Sequence, residues 1–128
     1  MKKTVLLYNF SEERLAGVKR ALIPLKAAAK VVAKESYGET IGYLAGIEGF
    51  APTATAQPED FDEELLVMCG FNSSDIDMLI KLLRKYGVGR VALKAVITPT
   101  NAEWNGSALY HAVRADHEEM LRRREQGQ

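Results

Sequence analysis

An α/β domain built on a largely parallel four-stranded sheet is predicted from three features of the sequence. Short apolar, β-favouring runs alternate with stretches of helical periodicity. The strand-to-helix junctions carry turn and capping residue types. The chain has 128 residues, 47% hydrophobic and 27% charged, enough to bury one core. Right-handed crossovers between parallel neighbours give the strand order 2-1-3-4, with the second strand on an edge. Residues 1–128 are therefore expected to form a single domain, with a long irregular connection at about 47–64 and a frayed tail at about 125–128.

The first strand is expected at Thr4-Val5-Leu6-Leu7-Tyr8, followed by a turn at Asn9-Phe10 and a helix capped by Ser11. Glu12 and Glu13 suit the positive end of that helix, Leu15, Val18 and Leu22 recur at its spacing, and Pro24 marks its exit. A second strand is expected over residues 29–34, with Lys30 and Lys34 on the outer side of an edge and Ala29, Val31 and Ala33 on the inner side. Residues 39–45 read as a short helix stopped by Gly46. The connection that follows is rich in Gly, Pro and acidic residues, and is more simply a variable insert than a functional flap.

Leu65-Leu66-Val67-Met68-Cys69 restores the strand pattern. After Gly70-Phe71-Asn72-Ser73 comes a helix with Ile76, Leu79, Ile80, Leu82 and Leu83 as its apolar stripe and Gly87 and Gly89 beyond its end. This βα turn echoes the first one, since Leu7-Tyr8-Asn9-Phe10-Ser11 lines up with Met68-Cys69-Gly70-Phe71-Asn72. The fourth strand is expected over residues 91–97, interrupted by Lys94 and ended by Pro99, which has no N–H for a ladder. The last helix is expected from a Ser107 cap to about Arg124, with Leu109, Ala112, Val113 and Met120 facing inward.

Charge excludes some partners. The 17 basic and 17 acidic residues cancel, so no global field draws nucleic acid or an anionic membrane. No apolar run approaches the roughly 20 residues that span a bilayer, and a single Cys allows no internal disulfide; both suit a cytoplasmic protein. Residues 37–78 contain no Lys or Arg, and are expected to lie beside the basic residues that flank them in sequence, or to support self-association.

No catalytic residue, metal set or cofactor motif is indicated. His111 and His117 are six apart on one helix, Cys69 reads as a buried hydrophobe, and neither GxGxxG nor GxxxxGK occurs. Ligands of open α/β sheets bind at the carboxyl ends of the strands. The candidate binding residues are accordingly Asn9 and Ser11, Asn72 and Ser73, and Lys94, Thr98, Thr100, Asn101 and Trp104, expected to meet at one rim. The leading functional expectation is a non-catalytic interaction or regulatory domain, with self-association or a protein partner. The alternative is a small-ligand or anion-binding domain at that rim, and a third reading makes Lys94 the base of an enzyme.

Several of these stretches resemble a bacterial family known as domain of unknown function 3783. They are Val5-Leu6-Leu7-Tyr8-Asn9-Phe10, the segment from Thr40 through Gly46, the Met68-Cys69-Gly70-Phe71 turn, and above all the run from Leu93 through Trp104. The resemblance implies that Lys94, Thr98, Pro99, Asn101 and Trp104 belong to a shared pattern. It brings no activity, cofactor or catalytic residue with it.

Overall fold

A computed structural model describes residues 2–52 and 61–127. Strands β1 (Thr4–Tyr8), β2 (Ala28–Val31), β3 (Leu65–Cys69) and β4 (Lys94–Val96) form one sheet in the order β2-β1-β3-β4. Helices α1 (Glu12–Leu22) and α3 (Ser73–Lys85) cover one face. The short α2 (Ile41–Leu44) and the long α4 (Gly106–Gly127) serve the other. The strand order is the one expected from the sequence.

The sheet is mixed, and its direction changes at the centre. β1 is parallel to β2 and β3 is parallel to β4, but β1 and β3 are antiparallel, with Leu6 opposite Val67. The molecule thus consists of two βαβ halves, β1-α1-β2 and β3-α3-β4, placed back to back with their helices on the same face. An approximate two-fold axis perpendicular to the sheet, passing by the Leu6 and Val67 pair, relates them. The sequence echo obeys this axis. Asn9 (φ 64°) and Gly70 (φ 80°) occupy the same place in their turns, and both are left-handed. A Phe and then a helix cap follow each.

Local chemistry explains most element ends. Ser11 accepts from the Arg14 N–H, and Asn72 and Asp75 form a reciprocal box in which each side chain accepts from the other's backbone N–H. The last helix departs from expectation: its cap is Asn105, whose Oδ1 accepts from the Ala108 N–H, while Ser107 is buried inside the first turn. Gly106 lies against Tyr8, where a Cβ would come within 2.6 Å of the ring, so the helix starts where glycine permits close approach. α4 then continues to Gly127.

The strands are shorter than their apolar runs. β4 keeps only Lys94–Val96, although Leu93 and Ile97 extend its pairing through single hydrogen bonds to β3. The strand expected over 29–34 ends at Val31, which is half exposed at the sheet edge rather than facing inward, and the buried anchor is Val32 just past it. The 47–64 connection falls partly outside the described residues, yet its end belongs to the core. Phe61 stacks between Tyr37 and Tyr110, with ring centroids 5.0 and 4.4 Å away.

The acidic segment lies beside the basic residues that flank it. Lys3 pairs with Asp75, Arg14 with Glu64, Lys34 with Asp62 and Arg114 with Glu63, each joining a cation outside residues 37–78 to a carboxylate within. Arg14 does more than pair: it grips Glu64 with two nitrogens and donates to the carbonyls of Val88 and Arg90, tying α1 to the entry of β3 and to the loop before β4.

Candidate functional site

The antiparallel seam between β1 and β3 separates the residues expected at one rim. Asn9 and Ser11 follow β1 at one end of the sheet. Asn72, Ser73, Thr98, Thr100 and Asn101 follow β3 and β4 at the other. The single crevice between the two capped turns therefore does not form, because two antiparallel central strands cannot direct their carboxyl ends to the same side.

Most of these residues spend their polar atoms on the fold. Asn9 donates from Nδ2 to the carbonyls of Phe61 (2.7 Å) and Glu63 (3.1 Å), and its Oδ1 accepts from the Tyr37 hydroxyl (2.6 Å). Ser11 and Asn72 are caps, and Ser73 opens α3. Asn101, largely buried, closes the free edge of β4. Its Nδ2 donates to the Val96 carbonyl (3.1 Å), its Oδ1 accepts from the Thr98 N–H (2.8 Å), and its own N–H donates to the Thr98 hydroxyl (3.0 Å). Ile97 donates its N–H to β3, so the backbone groups of Val96 and Thr98 point the other way, toward solvent. The Asn101 amide satisfies them as a neighbouring strand would, which blunts the edge. Thr100 makes no capping bond and is exposed.

Lys94 and Trp104 are placed differently. Both line a groove of about 380 Å³ between β4 and α4, together with Ala95, Val113, His117 and Met120. Trp104 is held by its backbone, its carbonyl accepting from the Ile41 N–H, and its side chain is 36% exposed. Beyond the groove α4 outruns the sheet and leaves Met120 51% and Leu121 40% exposed. Lys94 is half-buried, and its Nζ donates to the Val91 carbonyl at 2.5 Å. Burial, with the Arg90 guanidinium adding repulsion, holds its amine below the usual lysine value. That direction is the one a lysine base would need, but the bond to Val91 engages the protonated form.

Two other groups are shifted by the core. Burial pushes the Cys69 thiol up to about 12, in keeping with an inert apolar side chain. The Tyr8 hydroxyl, fully buried and with no hydrogen-bond partner among the described residues, is raised far above the usual phenol range by the same cause. Among the described residues, no group of three His, Cys, Asp or Glu side chains could hold a metal ion, and no helix is long and apolar enough to cross a membrane.

The α4 groove was only half visible in the sequence. Lys94 and Trp104 stood out as an interrupted strand and a lone indole, whereas Met120 read as an inward residue of the last helix. The strand expected over 91–97 shortens to three residues while the helix runs for 22, and this mismatch is what leaves Met120 exposed.

Residues 64–120 match the model of a family described as a domain of unknown function (DUF3783). The matched segment begins at Glu64, the partner of Arg14, and takes in β3, α3, β4, the Thr98 to Asn101 corner and α4 as far as Met120. The whole groove lies within it. No curated protein and no solved structure matches the chain.

Proposed function

We propose that this chain is a single, non-catalytic interaction domain that works in the cytoplasm, and that its interaction face is the second half of α4 with the groove beneath it. The observation that carries this reading is the continuation of the inward face of α4 past the sheet. Leu109 and Val113 pack on the core, whereas Met120, two turns past Val113 on the same face, only borders the groove and is 51% exposed. A helix keeps an apolar residue there at a cost in solubility unless something covers it. The buried, unpaired thiol of Cys69 suits the reducing compartment.

The partner proposed is a second copy of the chain. Along this part of α4 the charges run from acidic (Asp116, Glu118, Glu119) to basic (Arg122, Arg123), with Met120 and Leu121 between them. Two such helices packed antiparallel about a two-fold axis at Met120 and Leu121 bring each acidic half against a basic half. The pairs these residues make within the helix, such as Arg122 with Glu119, are exposed and weak, so they can be exchanged across an interface. A net charge of zero adds no repulsion between copies.

Light scattering across a concentration series tests this. The intact chain is expected to reach the mass of a dimer, while Met120→Glu and Leu121→Glu remain monomeric, with the melting temperature that the intact chain shows at concentrations where it is itself monomeric, since both side chains are largely outside the core. An intact chain that stays monomeric at every concentration would remove the reading.

A further inference from the structure

On the other side of β4 from the groove, a second and smaller cavity of about 240 Å³ opens between the end of α3, the loop before β4, and the far end of α4. Its charged lining is wholly positive: Arg84 from α3, Arg90 from the loop, Lys94 from β4 and Arg124 from α4. We infer that this cavity is a binding site for a small oxyanion of the phosphate class, held by these four side chains.

Three observations support it. First, none of the four cations pairs with a carboxylate among the described residues, and all four face one cavity. Four cations from four separate elements lining one cavity, with no carboxylate among them, form an arrangement whose charge an anion would offset.

Second, helix ends account only for Arg124, which lies in the last turn of α4. Cations often gather at a helix carboxyl terminus to satisfy its free carbonyls. The end of α3 is already closed by its own backbone. Tyr86 donates to the Leu82 carbonyl, Val88 and Gly89 to that of Leu83, and Gly87 to that of Arg84. Gly87 and Gly89, both at positive φ, let the chain make this closure. Lys94, moreover, belongs to a strand.

Third, the floor is rigid where it needs to be. Leu83 and Val91 are core residues, Lys94 is fixed by its bond to the Val91 carbonyl, and the Arg90 carbonyl is gripped by Arg14. The backbone that carries Arg90 and Lys94 is thus in place before a ligand arrives. Planar guanidinium groups offer paired N–H donors to two oxygens of one anion, and the lysine supplies a point charge. Burial first and the Arg90 guanidinium second hold the Lys94 amine below its usual value, and a bound dianion would oppose both.

The test is titration of the full-length chain with inorganic phosphate and with pyrophosphate, at constant ionic strength set by chloride, followed by backbone and lysine side-chain NMR. The expected result is a saturable one-site shift at Gly89, Arg90 and Lys94, with an increase in the Lys94 pKa at saturation. Arg90→Gln and Arg84→Gln should each weaken binding about tenfold or more, while Lys81→Gln, on the same helix but outside the cavity, should leave it unchanged. No saturable shift, or equal affinity in Arg90→Gln and the intact chain, would overturn the site. Recording the titration on the Met120→Glu chain as well keeps the result separate from that of self-association.

Discussion

The two βαβ halves share a plan and differ in how each finishes it. In the first, the left-handed position of the βα turn is Asn9, whose side chain holds the Phe61 to Glu63 segment and Tyr37. In the second the equivalent position is Gly70, with no side chain to engage. The outer strand of the first half, β2, presents Lys30 and a half-exposed Val31, whereas that of the second, β4, is closed by the Asn101 amide. One local conformation thus serves as a structural hub in one half and as a plain turn in the other. Backbone geometry alone does not reveal which residues a protein depends on; the bonds a side chain makes do.

The contrast can be broken most severely at Asn9. Asn9→Ala removes three hydrogen bonds and leaves a β-carbon at positive φ, a loss of about 3–4 kcal/mol at about 1 kcal/mol per bond plus the strain. Asn9→Gly should recover only the strain, and urea unfolding of both variants measures the two parts. Asn101→Ala should cost about 2–3 kcal/mol through its lost bonds and also expose the β4 edge. It should therefore aggregate on heating more readily than Lys30→Ala at the opposite edge, which light scattering would show. A variant of Asn101 as stable and as soluble as the parent would mean that the amide does not close the strand.

At the twin of Asn9 a smaller effect is expected. Gly70→Ala should lose about 1–2 kcal/mol from left-handed strain alone. A loss matching that of Asn9→Ala would show that the turns are not as different as their bonds suggest. The mildest prediction concerns the caps. The Asp75 carboxylate accepts from the Asn72 N–H and from Lys3, and is held below its ordinary value of 3.8 by these bonds, whereas the first half has Arg14 in the corresponding place. Because its folded value lies below the unfolded one, its contribution is complete above the unfolded value and is lost as pH falls through the folded one. Asp75→Asn should flatten the acid side of the stability profile, and an unchanged profile would assign that slope to other carboxylates.

How much of this was legible in the sequence follows the distance over which each interaction acts. Caps at Ser11 and Asn72 bond three residues away and were readable, as was the pairing of β2 with β1 and of β4 with β3 through two short crossovers. The relative direction of β1 and β3 was not, because residues 32–64 separate the halves and nothing in their composition fixes which way the chain re-enters the sheet. That one unknown divided the expected rim in two. Arg14 and Glu64 lie fifty positions apart, and no periodicity links them. Phe61 sat within an acidic run whose charge masked a core residue. In the final helix Asn105 and Ser107 both had capping chemistry, and the contact between Gly106 and the Tyr8 ring, a tertiary event, decided between them.

The near-symmetry of the central seam has an implication for fragments of this chain. A piece ending before β3 would present β1 with an open side that normally receives a strand of matching length running the opposite way. A second molecule of the same piece offers just such a strand. Truncation is therefore expected to produce paired half-molecules that imitate the parent architecture, and a cut in the connection would favour exchange of halves between neighbours over simple unfolding.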